Sequence, residues 1–148
     1  MAVLGEHDGV MWTCPVSVGE RVEDDLLLDV ESIVAGAVLL RDRNPLHNDV
    51  DAACASRFGS LIACGPHAAG IHACMLPSYF TGLGFGVVGV EFTVQYRRPV
   101  LPDVAYTMWW ELKAVEPRGS NWRTDWIGAI EAASSPSITA TGSVLVLA

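Results

Sequence analysis

The sequence predicts an α+β protein in which an antiparallel sheet wraps around a central buried helix. Residues 66–80 supply apolar positions nearly all round a helix, with Ala68, Ala69, Ile71, Ala73, Cys74, Met75 and Leu76; a helix apolar on every side is a buried one. From Phe85 onward the pattern changes to runs of strand length rich in Val, Ile, Trp and Thr. The segments between the last three runs are short and turn-forming, Glu116-Pro117-Arg118-Gly119-Ser120 and Ser134-Ser135-Pro136-Ser137, as antiparallel hairpins require. One buried helix followed by antiparallel strands is an α+β layer arrangement.

In chain order, Val16 to Asp29 opens with Ser17-Val18-Gly19-Glu20 and runs toward Leu26-Leu27-Leu28, a first strand and its exit. Val30 to Leu40 is a short helix, ended by Asn44-Pro45 because proline lacks an amide hydrogen and biases its predecessor away from the α region. Val50 to Ser56 is alanine-rich and reads as a second short helix with Arg57 near its end. The central helix starts with Pro66, which suits a first turn, and ends around Pro77 and Gly82-Leu83-Gly84. Four strands follow over Val87–Arg97, Val104–Val115, Asn121–Ala132 and Ile138–Leu147. Trp109 and Trp110 are adjacent, so at most one faces the core.

At 148 residues, residues 1–148 form one domain with room for a substantial core. A hydrophobic content of 51% against 18% charged excludes disorder, and a net charge of −8 argues against nonspecific nucleic-acid binding. It leaves open an anionic ligand held by local arginines. Cys14, Cys54, Cys64 and Cys74 form no C-x-x-C pair, and there is no signal-peptide pattern, so they read as reduced thiols of a soluble cytoplasmic protein. No apolar run is long enough to span a bilayer.

The chemistry concentrates at Asp42-Arg43-Asn44-Pro45-Leu46-His47. On one continuous helix Asp42 and His47 would sit about 140° out of register, whereas on a loop turned at Asn44-Pro45 they can converge. A convergent carboxylate and imidazole can share a water for acid–base work near neutral pH. The alternative is a capped helix end with both side chains solvated. Asp49 reads as a cap for the helix after it.

This hexapeptide with Asn48-Asp49 resembles the hydratase motif of the MaoC-like, (R)-specific enoyl-CoA hydratases. Phe58-Gly59-Ser60-Leu61-Ile62-Ala63-Cys64-Gly65 resembles that family's apolar segment ending in His-Gly. Phe92-Thr93-Val94-Gln95-Tyr96-Arg97-Arg98-Pro99-Val100, then Pro102-Asp103, is similar to its strand-Pro-Val-x-x-Gly-Asp corner. The blocks are in order, over a region from about Val30 to Asp103.

The resemblance implies a single hot-dog fold and reversible hydration of a trans-2-enoyl thioester, carried on coenzyme A or acyl carrier protein, in fatty-acid or related lipid metabolism. It implies an (R)-3-hydroxyacyl product, no metal or redox cofactor, and a homodimer or a heterodimer with a paralogue. Asp42 and His47 would hold the water and move its protons. The Gly65 amide, just before the central helix, would stabilise the thioester oxygen, a donor typically worth ~3 kcal/mol; the other reading is a glycine that only permits a tight turn. Asn44, Cys64 and Ala73 complete the expected substrate site, Asn44 by orienting the motif loop. His67 and His72 either line the acyl pocket or are satisfied core or interface histidines, and their spacing does not make a metal pair. Arg57, Arg97 and Arg98 either meet coenzyme A phosphates or are solvated.

Departures from the family pattern are Arg41 for Gly, Cys64 for His, Ala73 for Ser, and Pro102 for a small corner residue. The changes at Cys64 and Ala73, with space at Ala69, Gly70 and Gly82–Gly86, predict a pocket favouring long or bulky acyl groups. Competing functions are a hot-dog acyl-thioester hydrolase, which has no specific need of Asp-x-Asn-Pro-x-His, and a non-catalytic scaffold subunit of a hydratase heterodimer.

Overall fold

The computed structural model describes residues 4–7 and 9–148. A two-stranded hairpin, β1 (Leu4–His7) and β2 (Val10–Thr13), precedes the main body. There follow β3 (Arg21–Leu27), α1 (Val30–Leu39), α2 (Pro45–Asn48), α3 (Val50–Cys54) and α4 (Gly65–Gly82). The chain closes with β4 (Val87–Tyr96), β5 (Ala105–Arg118), β6 (Asn121–Ala132) and β7 (Ser135–Val146). The last four and β3 make one antiparallel sheet in the order β3-β5-β6-β7-β4.

Alternation along the strands decides which face is core. Tyr106, Met108, Trp110 and Leu112 on β5 are buried, as are Trp122, Trp126 and Ile130 on β6 and Ile138, Ala140, Val144 and Val146 on β7. They pack in one cluster with Ala68, Met75, Leu76 and Phe80 of α4. Trp110 is fully buried while Trp109 points to the other face, beneath Arg21 at 4.1 Å. Gly128 lies opposite Trp110 in the register. A Cβ there would come within 2.6 Å of the Trp110 ring, so the glycine makes room for the indole. This sheet laid over α4 is the arrangement the sequence pattern predicts, and it is the hot-dog fold that the resemblance implies.

Several boundaries differ from expectation. The strand expected first in the chain, over Val16 to Asp29, is β3, behind the β1–β2 hairpin. It begins at Arg21 because residues 17–20 turn and tie to β5 through Gly19 N–H and Leu112 O at 2.8 Å. The central helix runs through Pro77 to Gly82. It ends where Gly84 turns left-handed (φ 86°) and Phe85 N–H donates to Phe80 O at 2.9 Å, a Schellman closure. The hairpins are tighter than the turn composition suggests. Arg118 already pairs with Asn121, and Ser135 with Ala132, so Pro117 and Pro136 lie inside strands.

Nor is α4 buried all round. Ala68, Ala69, His72, Met75, Leu76 and Phe80 face the core, whereas Pro66, Gly70, Cys74 and Ser78, four residues apart, make an open stripe. Composition counts apolar residues without regard to side, and a single sheet layer covers only one face of a helix. The open stripe floors a groove of 790 Å³ walled by Leu39 and Leu40 at the end of α1 and by Val22 of β3. At the other edge of the molecule β4 leaves its outer side unpaired, with Val88, Val90, Phe92 and Tyr96 exposed.

Candidate active site

The site begins at the end of α1. Arg41 N–H donates to Val38 O and Asp42 N–H to Ala37 O at 2.9 Å, with Arg41 left-handed at φ 57°. That is the same Schellman closure as at Gly84, and it, not Asn44-Pro45, stops the helix. The departure at Arg41 thus falls on a backbone position that favours glycine. Asp42 leaves the turn with Oδ1 accepting from Asn44 N–H at 2.9 Å. Asn44 Oδ1 in turn caps α2 by accepting from Leu46 N–H at 3.1 Å, and Asn48 Nδ2 donates to Asp42 O. Asn44 therefore positions the motif, and its side chain is committed to that cap. Asp49 caps α3 through Ala52 N–H.

His47 sits on α2 and is buried, which corrects the expectation of a loop position for it. Its Nδ1 lies 2.8 Å from Ile62 O, so Nδ1–H donates there and Nε2 faces Asp42. Ile62 is itself held by N–H donation to Leu46 O, and Ala63 by donation to Val100 O. The apolar segment 61–64 is thus clamped between α2 and the corner after β4. His47 Nε2 and Asp42 Oδ2 are 3.6 Å apart, too far for a direct hydrogen bond and suited to sharing a water.

Cys64 is 1% exposed and donates its thiol to Asp42 Oδ2 at 3.2 Å. Burial, reinforced by the Asp42 carboxylate, pushes this thiol up, so it stays protonated. The Asn44 amide, then the Cys64 thiol, then His47 hold the Asp42 carboxyl below its ordinary range. Asp42 is therefore a carboxylate at neutral pH.

Both groups face a cavity of 420 Å³. Gly65, the first residue of α4, forms part of its wall. Its amide has no acceptor within the helix, and Pro66 after it has none to offer. A Cβ on Gly65 would lie 2.6 Å from the Tyr96 ring, so glycine is also needed for space. Arg57, Arg97 and Arg98 line the same cavity. None of the three pairs with a carboxylate of the described residues.

Two expectations fail on position. Ala73 lines neither this cavity nor the groove along α4; Ala68 is the α4 alanine at the cavity. Of the positions expected to leave acyl space only Gly70 borders the groove, for Ala69 packs into the core. Pro66 lines both cavity and groove and is where they meet. His72 is a core residue, stacked on Trp110 at 4.1 Å with Nε2 against Trp109 O. His67 borders the groove and closes on Gly36 of α1. All four cysteines are free, and no described helix is long and apolar enough to cross a membrane.

No family model and no curated protein matches the chain. Solved structures do. The (R)-hydratase from A. caviae involved in PHA biosynthesis superposes with a TM-score of 0.75 at 20% identity, over 88% of this chain and 96% of that one. The MaoC-like dehydratase from Rhodospirillum rubrum gives 0.75 at 24% identity, over 89% and 93%. The fluoroacetyl-CoA thioesterase FlK gives 0.66 at 18% identity, over 90% of each chain. At such identities these likenesses establish the fold, which hydratases and a thioesterase share.

Proposed function

We propose that the chain is a MaoC-like hydro-lyase that reversibly hydrates a trans-2-enoyl thioester to the (R)-3-hydroxyacyl thioester. The observation that carries this reading is the 3.6 Å approach of Asp42 Oδ2 and His47 Nε2 at one wall of a cavity whose wall also includes the first amide of a helix. Water is a weak nucleophile and must lose a proton as its oxygen bonds to C3. Asp42, ionised and without a proton of its own to give, takes that proton. His47 holds the same water through Nε2, its Nδ1–H being committed to Ile62 O. The proton gained by the pair passes to C2 on the same face, so that the pair is restored and the net change is one water added. The Gly65 N–H and the partial positive charge of the α4 N-terminus meet the negative charge that grows on the thioester oxygen.

Three guanidiniums at the cavity, in a chain of net charge −8, support a thioester carrier bearing phosphate. Coenzyme A and the phosphopantetheine of an acyl carrier both fit. The unpaired β4 edge with its apolar side chains supports a dimer, homomeric or with a paralogue, that covers it. Chiral analysis of the product from crotonyl-CoA tests the assignment: the (R)-3-hydroxy thioester is expected. Release of free thiol in place of hydration would establish a thioesterase, and an (S) product would overturn the stereochemical reading.

A further inference from the structure

The departure at Cys64 places a third donor beside the pair. One ligand atom from each of Asp42, His47 and Cys64 lies within 4.8 Å of the other two. Cys64 Sγ is 3.2 Å and His47 Nε2 3.6 Å from Asp42 Oδ2. With Zn–S of about 2.3 Å and Zn–N and Zn–O of about 2.0 Å, tetrahedral coordination sets ligand atoms about 3.3–3.6 Å apart. Two of the three donor separations therefore already stand near the spacing zinc demands, and the third, between Cys64 and His47, lies within 4.8 Å.

Their supports point the same way. His47 gives Nδ1–H to Ile62 O, the outer hydrogen bond that orients metal-binding histidines and leaves Nε2 to the ion. Asp42 spends Oδ1 on the Asn44 amide and keeps Oδ2 free for the cluster. The sulfur is buried, while Asp42 and His47 border the cavity, which supplies an entry path and a fourth position. A thiolate, an imidazole and a carboxylate make a donor set that zinc accepts in preference to magnesium or calcium.

We propose that Asp42, His47 and Cys64 form a site for Zn²⁺ that switches the enzyme off. Binding releases the Cys64 proton to solvent and places the ion on the Asp42 oxygen and the His47 nitrogen that would otherwise handle the reacting water. Metal binding itself stands independently of the hydratase reading; the loss of hydration rests on it.

The test starts from purified, reduced, chelator-treated protein titrated with Co²⁺ as a spectroscopic probe. One equivalent should produce tetrahedral d–d bands and a thiolate-to-cobalt charge-transfer band. Zn²⁺ should displace the cobalt and, at the same occupancy, abolish crotonyl-CoA hydration, which a chelator restores. Cys64→Ser should lose the charge-transfer band and, having lost a coordinating thiolate, bind both ions more weakly by more than the roughly 10–100-fold that loss of an outer partner costs. Asp42→Asn, which keeps the thiol, should keep the band and also bind more weakly. Failure to bind one equivalent, or binding unchanged in Cys64→Ser because Cys54 or Cys74 holds the ion, overturns the site. Full hydration at full zinc occupancy overturns the switch. Metal-free protein with no hydratase activity would refute the hydratase reading, and the cobalt spectrum would still decide the site.

Discussion

Replacing Gly65 by alanine tests the oxyanion donor through a contact visible in the structure. The new Cβ would lie 2.6 Å from Tyr96 Cε1 and 2.8 Å from Cζ, against an ordinary carbon–carbon separation of about 3.5–4.0 Å. One partner must therefore move by about 1 Å. Gly65 is not in the left-handed region, so its backbone accepts alanine. Tyr96 is 56% exposed and belongs to the edge strand, so the fold can absorb the change. A reacting geometry misplaced by about 1 Å costs about 10²-fold, and loss of an oxyanion donor costs about 10²–10³ in kcat. We expect kcat to fall about 10²-fold with a melting temperature close to that of the parent. In the double variant Gly65→Ala/Tyr96→Leu, the ring that forces the displacement is gone and most of the rate should return. Steady-state kinetics and thermal melting of the three proteins make the comparison. Near-parental kcat in Gly65→Ala would show that Tyr96 gives way and not the donor, refuting the expected displacement, and a loss that Tyr96→Leu leaves untouched would refute the contact as its cause.

Further outcomes follow from other parts of the structure. Arg41→Gly relieves a left-handed arginine at the close of α1 and should stabilise the fold by about 0.5–1 kcal/mol, read as a higher urea midpoint at unchanged slope. Burial lowers His72 from its ordinary 6.5 to about 4, so between those values the unfolded chain binds a proton that the folded one refuses. This contribution is complete above pH 6.5 and drains as pH falls toward 4, amounting to about 3 kcal/mol at about 1.4 kcal/mol per decade; urea titrations of the parent and His72→Gln across that window should differ in slope by one proton, and equal slopes would contradict the assignment. Gly70 borders the groove with open space at its Cβ position, so Gly70→Leu should lower kcat/KM for long enoyl-CoA substrates and spare the four-carbon one. In the parent each further methylene buried in the groove should improve binding by about 0.8 kcal/mol; a four-carbon optimum would show that the groove does not take the acyl chain.

Local chemistry made much of this molecule legible. The alanine-rich run after Asp49 and the alternation through Asn121–Ala132 each carry their element within a few residues of sequence, and the structure places both where expected, whereas Asn44-Pro45 opens α2 instead of ending α1. Asp42 and His47 were readable for the same reason, since five positions and one turn bring them together. Which of the other named candidates meet one another depends on long-range packing. Cys64 is 22 residues from Asp42, and only the clamp of segment 61–64 onto α2 and Val100 directs its thiol to the carboxylate. Arg57, Arg97 and Arg98 gather at one cavity because the β4 corner folds back beside α4, a juxtaposition no spacing rule contains. Ala73 was assigned from a motif position, but the α4 surface at the cavity is set by Gly65, Pro66 and Ala68. The β1–β2 hairpin did carry a local signal, the Asp8-Gly9 dipeptide ahead of the apolar Val10-Met11-Trp12, and Gly9 has the positive φ such turns use.

The most direct measurement is kcat for crotonyl-CoA hydration by purified parent and Asp42→Asn. Asparagine keeps the Oδ1 acceptor that the Asn44 amide uses, so the turn and the melting temperature should persist. It cannot take a proton from water, so kcat should fall by about 10²–10⁴ while KM stays within a few-fold. A parent that hydrates the substrate and an Asp42→Asn variant that does so at a similar rate would contradict the acid–base pair outright.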